Sequence, residues 1–194
     1  MIFRRVLPLI VAGLVALTAA PMARALGPVD LEVAGKVGTG TTPFGPSNPL
    51  SLGFGLRGGV SFFGVYAGLS FIDYIGSGES AADGPAFSAP HTLQYGGELG
   101  YGFKVGRVTI RPLVGLGNYV ESTGGGPAAS NLYFEPGGAV LVSFGPLLVG
   151  LDANALVLPS VYLYTGCNGM GCTQMPVYKT ETAFTMHAQV GVRF

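Results

Sequence analysis

Residues 183–194 alternate apolar and polar side chains up to the last residue given. Phe184, Met186, Ala188, Val190, Val192 and Phe194 fall on one face of an extended strand; Thr185, His187, Gln189, Gly191 and Arg193 fall on the other. Successive strand side chains point to opposite faces, so one face suits an apolar medium and the other a polar one. The pattern constrains the whole chain because it recurs. Residues 29–38, 50–60, 63–73, 92–104, 108–121, 131–143 and 147–157 show it too. Each is close to the roughly 9–11 residues that a tilted strand needs to cross a hydrocarbon layer.

Except at the segment ends, where Asp73 falls on the apolar parity, the ionisable residues of these segments gather on one face. Asp30, Glu32, Lys36, Arg57, Glu98, Lys104, Arg111, Glu121, Glu135, Asp152 and Arg193 are expected to point inward, with Tyr66, Tyr119, Tyr133 and His187 beside them. Leu31, Leu50, Leu52, Phe54, Leu56, Leu69, Leu99, Leu116, Leu132 and Leu151 are expected to point outward. A soluble barrel keeps its apolar face inside. The same segments in that arrangement would bury the charges or expose rows of Phe, Leu and Val.

The start of the chain reads as an export signal. Arg4 and Arg5 precede an apolar stretch, 6–20, and Ala23-Arg24-Ala25 fits the small-x-small cleavage rule. The expected division is a cleaved signal peptide at 1–25 and one barrel domain at 26–194. Arg4, Arg5 and Arg24 leave with the signal; seven basic and ten acidic residues remain, a net charge of about −3. Nucleic-acid binding is not expected, because that balance holds no basic stripe. After residue 25 no apolar run reaches the roughly 18 residues of a membrane helix. In lipid every backbone N–H and C=O must find its partner within the protein, which leaves a closed barrel.

Connection lengths support this independently. Residues 39–49, 74–91, 122–130 and 158–181 read as long loops rich in Gly, Pro, Ser and Asn; 61–62, 105–107 and 144–146 read as tight turns. Short periplasmic turns alternating with longer outside loops are the habit of outer-membrane barrels. The expected fold is all-β: a transmembrane, antiparallel, up-and-down barrel of eight strands in a bacterial outer membrane.

Several stretches carry a resemblance: 56–60 (LRGGV), 93–103 (LQYGGELGYGF), 110–112 (IRP) and 189–194 (QVGVRF). They resemble the small eight-stranded outer-membrane β-barrel proteins of Gram-negative bacteria, the OmpA/OmpX-like barrels and the myxobacterial kind of unassigned role. The resemblance spans 26–194. It implies a barrel whose last strand, with Val190, Val192 and Phe194, carries the assembly signal. It implies outer-membrane lipid, lipopolysaccharide and the barrel assembly machinery as partners. Gln189 departs from the glycine often seen at its place.

Inside the barrel Glu32, Glu98, Glu135 and Asp152 can face Lys36, Arg57, Arg111 and Arg193 as a lumen ion-pair network. Glu98 and Arg111 flank one tight turn on adjacent strands and are expected to lie close. The inward glycines, among them Gly68, Gly96 and Gly117, make room for water-filled pockets or for Tyr66, Tyr119 and Tyr133. Without tryptophan, Phe and Tyr must supply the interfacial girdles: Phe62, Phe63, Phe103, Phe144 and Phe194 at the turn end, Phe71, Tyr74 and Tyr95 at the loop end. Tyr162, Tyr164 and Tyr178 read as upper girdle or contact surface.

Cys167 and Cys172 are the only cysteines, and an oxidising export route predicts a disulfide between them. No catalytic set is expected. No Gly-x-Ser-x-Gly elbow is present, and His187 faces the lumen with no serine two places from it. Two separate histidines and two cysteines make no metal site. No cofactor is expected. The expected role is structural or surface-interacting through the outside loops, with an unknown surface partner; the alternative is a narrow channel for small solutes or ions. A lipid-modifying enzyme is the weakest reading.

Overall fold

The computed structural model describes residues 29–41, 48–77, 90–122, 129–168 and 171–194; for 129 and 160–179 it describes the backbone alone. The expected signal peptide, 1–25, lies outside the described residues, as do most of the loops at 42–47, 78–89 and 123–128.

The alternating segments form nine strands: β1 Val29–Thr41, β2 Asn48–Phe62, β3 Val65–Ser77, β4 His91–Tyr101, β5 Phe103–Val105, β6 Val108–Ser122, β7 Ala129–Phe144, β8 Leu147–Asn168 and β9 Gly171–Arg193. β4 and β5 are one span interrupted at Gly102, and both pair with β6. Each span runs antiparallel to its chain neighbour, and β9 pairs with β1. The result is a closed barrel of eight antiparallel spans, the architecture expected from the alternation.

Closure leaves no free sheet edge, so the ladder satisfies the backbone all the way round. The three tight turns lie at one end, the turn end. Gly106 and Gly145 take positive φ at the first turn position, which suits type II′ hairpins. The first turn is not at 61–62. β2 runs on to Phe62, and the turn is Phe63-Gly64, with φ of 48° and 87°. Two successive positive φ values fit a type I′ turn, and Gly64 takes the second without strain. Phe63, expected to open the third strand, is a turn residue instead.

Side-chain direction follows the alternation with two corrections. Leu50, expected outward, is fully buried, while Leu52, Phe54 and Leu56 are exposed. The β2–β3 register shifts between Asn48 and Leu52, and an irregularity of that kind turns the preceding residues to the other face. Tyr74, expected in the outer girdle, is also fully buried. It shares the parity of inward Tyr66, Ser70 and Ile72 on β3, and strand parity decides over composition.

A third correction concerns 158–181. The β8–β9 ladder continues from Leu158↔Glu181 to Asn168↔Gly171, so this stretch is a paired ribbon standing on the barrel rather than a loop. Its arms are rich in Val, Tyr, Leu and Thr, residues that favour extended backbone.

Candidate functional site: the barrel interior and its mouth

The outer wall is apolar. Leu31, Leu56, Leu69, Leu99, Leu116 and Leu132 are between 47% and 71% exposed, and every span contributes to the belt. The inner wall holds the charges. Glu32, Lys36, Arg57, Glu98, Arg111, Glu135 and Asp152 are each less than 9% exposed, and Arg193 is nearly as covered. This inversion of the soluble arrangement positions the candidate site.

Nearest the turn end, Glu32 on β1 gathers two guanidiniums. Arg111 on β6 reaches across the interior and donates Nη1 and Nη2 to its two oxygens at 2.8 and 2.7 Å, a bidentate clasp. Arg193 on β9 donates Nε to Glu32 Oε1 at 3.0 Å and Nη1 to the Ser143 hydroxyl at 3.2 Å. Arg57 sits beside Glu98, with Nε 2.7 Å from Oε2, and donates to the Tyr66 hydroxyl at 3.0 Å. The Tyr66 ring carries the Arg57 and Arg111 guanidiniums at 4.7 and 4.2 Å from its centroid. Gly59 and Gly68 provide that ring's seat, since a Cβ at either would strike it.

Glu98 and Arg111, expected to meet, do not pair. Glu98 lies opposite Gly115, and Arg111 lies four residues from Gly115 along β6. At about 3.4 Å per residue that is a separation of roughly 14 Å along the strand. Each finds its partner across the lumen instead: Arg57 for Glu98, Glu32 for Arg111.

Towards the loop end, Lys36 Nζ lies 3.0 Å from Asp152 Oδ2. Asp152 Oδ1 is 2.7 Å from His187 Nδ1, and His187 Nε2 is 2.7 Å from the Tyr74 hydroxyl. His187 thus ties β8, β9 and β3 together. The parity pattern showed that it points inward but not which groups it meets. The Asp–His–hydroxyl order resembles a proton relay. All three side chains are buried, so the row acts as a cross-barrel tie.

Glu135 differs from the other three carboxylates. It accepts hydrogen bonds from Gln94 Nε2 at 2.7 Å and Thr185 Oγ1 at 3.1 Å, both neutral donors. Thr185 was legible only as a position on the polar face of the last strand. Above these groups Leu50, Ile72, Tyr74, Tyr119, Tyr133, Leu156, Leu158 and Ala183 form one buried apolar cluster. The loop-end half of the interior is therefore plugged by apolar side chains and tyrosine rings, and the turn-end half holds the charges beside a smaller apolar cluster of Ala139, Leu141 and Leu148. At the turn end it opens into a cavity of about 340 Å³, with Ser61 and Arg111 in its wall.

Phe194 ends the last span on the outward parity. Its N–H donates to the Leu31 carbonyl at 2.9 Å, and its carbonyl accepts from Leu31 N–H at 3.0 Å. Val190 and Val192 share its face, opposite Gly35 and Val33 on β1. Cys167 lies opposite Cys172 in the backbone register near the ribbon tip. Their side chains, and those of Tyr162, Tyr164 and Tyr178, lie outside the described residues.

No family model and no curated protein matches this chain. Solved structures do. The crystal structure of Neisserial surface protein A is similar over 87% of this chain and 98% of its own, with 14% identity and a TM-score of 0.55. The N-terminal β-barrel domain of Pseudomonas aeruginosa OprF is similar over 85% of this chain and 97% of its own, with 12% identity and a TM-score of 0.51. The attachment invasion locus protein Ail of Yersinia pestis, in complex with the heparin analogue sucrose octasulfate, covers 86% and 97%, with 15% identity and a TM-score of 0.51. The fold is that of the small outer-membrane barrels.

Proposed function

We propose that this chain is an integral protein of a bacterial outer membrane, exported by residues 1–25, with a structural or surface-interaction role through its loop end. The apolar belt on all eight spans, wrapped around a charged interior, is the observation that carries the reading. Such a wall is stable in lipid and a liability in water. In this reading the wall meets outer-membrane lipid and lipopolysaccharide. Val190, Val192 and Phe194 present the last strand to the assembly machinery. The ion pairs fix the barrel's shape, and Cys167 and Cys172 are bonded at the tip of the β8–β9 ribbon. That ribbon supplies a projecting surface for a partner. No catalytic role is assigned.

The packed interior favours a closed barrel over a narrow channel. An eight-stranded barrel is just wide enough for its own side chains, and here the loop-end half is filled by Tyr74, Tyr119, Tyr133 and leucines. The test has two parts. Fractionation of a producing Gram-negative cell should place the mature chain in the outer membrane, cut after Ala25. Planar bilayers containing the refolded protein should show no steady conductance. Recovery in the periplasm refutes the membrane reading, and a steady conductance lost on Arg111→Ala replaces the closed barrel with the channel.

A further inference from the structure

Two ionisable side chains interrupt the apolar wall, and they meet. Among the described side chains, Asp73 on β3 and His91 on β4 are the only Asp, Glu, Lys, Arg or His on the outward parity of a strand. His91 Nδ1 lies 3.3 Å from Asp73 Oδ1, and no other described side chain answers the carboxylate. The two side chains are 58% and 41% exposed, and open pairs of this kind are weak and readily exchanged. Asp73 stands between exposed Phe71 and Ile75 on one face of β3, eight residues along the strand from Val65. At about 3.4 Å per residue and a tilt of about 40°, that is roughly 21 Å up an apolar band about 25 Å tall. The carboxylate therefore sits at the loop-end border of the band, where lipid headgroups begin.

An apolar hollow lies below it on the same face. It holds about 530 Å³ and is lined by Leu56, Leu69, Phe71 and Tyr95 around Gly58 and Gly97. The register sets Gly58 and Gly97 on either side of Leu69, and Leu56 and Tyr95 on either side of Phe71. A Cβ at Gly58 or Gly97 would meet nothing nearer than a backbone oxygen at 3.8 or 3.9 Å, whereas at inward Gly59 or Gly68 it would strike the Tyr66 ring. These two glycines therefore seat no neighbour; they leave the wall open to close approach from outside. Leu69 is four residues below Asp73, roughly 14 Å along the strand.

In the proposed role this face meets lipid, so the hollow takes a hydrocarbon chain and the chain's headgroup reaches Asp73. The carboxylate selects that headgroup. It repels an anionic one. A divalent cation needs several oxygen ligands, which one carboxylate beside an imidazole does not supply. A primary ammonium brings its own N–H donors and needs only a carboxylate oxygen. A quaternary ammonium has the charge but no N–H to donate.

We infer that the outward face of β2–β4 binds a lipid with a primary-amine headgroup, the ammonium on Asp73 and the acyl chain in the hollow beside Leu69. The site rests on the membrane reading of the wall and adds to it a lipid of stated chemistry.

Competition between two lipids tests it. Phosphatidylethanolamine and phosphatidylcholine with identical acyl chains are offered in equal amounts to the refolded protein in non-ionic detergent, and native mass spectrometry reads the bound lipid. Phosphatidylethanolamine should be retained roughly fivefold over phosphatidylcholine, the worth of one partly exposed hydrogen bond to a charged group. Asp73→Asn should bring the ratio to about one. Gly97→Leu fills the hollow and should reduce retention of both lipids in a barrel that keeps folded gel mobility. Equal retention of the two lipids by the parent protein, an unchanged preference in Asp73→Asn, or parent-like retention by Gly97→Leu overturns the site. Any of these in a chain still recovered from the outer membrane leaves the membrane reading standing; recovery in the periplasm removes both.

Discussion

Replacing Glu32 by glutamine tests the interior more sharply than any other single change. The residue is 5% exposed and receives two bonds from Arg111 and one from Arg193 Nε, with Arg193 Nη2 a further 2.8 Å away. Glu32→Gln keeps the shape and removes the charge that both guanidiniums answer. Breaking a buried pair strands a charge at roughly 3–5 kcal/mol. The Arg193 pair is more open, with the arginine 12% exposed, and adds about 1 kcal/mol at most. The expected loss is therefore about 4–6 kcal/mol. The chain has no tryptophan, so equilibrium urea unfolding of the barrel in lipid vesicles is best followed by far-ultraviolet circular dichroism and gel mobility. A double-mutant cycle with Arg111→Met should show strong coupling, because the pair removed together leaves less charge stranded. The same cycle between Glu98 and Arg111 should show far weaker coupling. A Glu32→Gln barrel within about 1 kcal/mol of the parent refutes the reasoning, because it would mean that the two guanidiniums find solvent where the structure shows none.

Glu135→Gln should cost far less than Glu32→Gln in the same unfolding assay, since it strands no cation: the amide oxygen can still accept from Gln94 Nε2, and the Thr185 hydroxyl can turn to accept from the amide N–H. Gly96→Ala should destabilise the barrel by about 1–3 kcal/mol through overpacking, because its Cβ would strike the Leu116 carbonyl and the Tyr133 hydroxyl; unchanged urea midpoints would contradict this. Cys167 and Cys172 should resist thiol labelling under denaturing, non-reducing conditions and label fully after reduction. Deleting Phe194 removes two backbone hydrogen bonds to Leu31 and the terminal aromatic ring. Export and signal cleavage should persist while the chain accumulates in the periplasm; normal outer-membrane levels would remove Phe194 from the assembly signal.

Period-two alternation carried most of the fold, because lipid outside and charge inside make register visible residue by residue. Phe54 and Arg57 fell on their faces for that reason. Leu50 did not, because a bulge is a local backbone event with no mark in side-chain polarity. The Phe63-Gly64 turn was missed because a phenylalanine at positive φ is rare. The interior partners were legible as a set and not as pairs. A long arginine crosses the lumen more readily than it bends back along its own neighbouring strand, so Arg111 chose Glu32 over Glu98. His187 showed its direction alone; its contacts with Asp152 and Tyr74 depend on how three separate strands are staggered. The β8–β9 ribbon was hidden by glycine and cysteine near its tip, which read as loop although the arms are extended.

The tie between Glu32 and Arg193 spans 161 residues, and that between Tyr74 and His187 spans 113. Neither can exist in a partly built sheet. Glu32 stands near the start of the first strand and Arg193 on the last, so the clasp shuts only when β9 docks on β1. Until then the open sheet holds a row of charges that neither lipid nor half a lumen can shelter, a state worth several kcal/mol per group. Insertion of this chain should therefore be a single concerted event, with the first and last strands arriving together, and a chain stalled before its final strand should have no half-inserted state in which to wait.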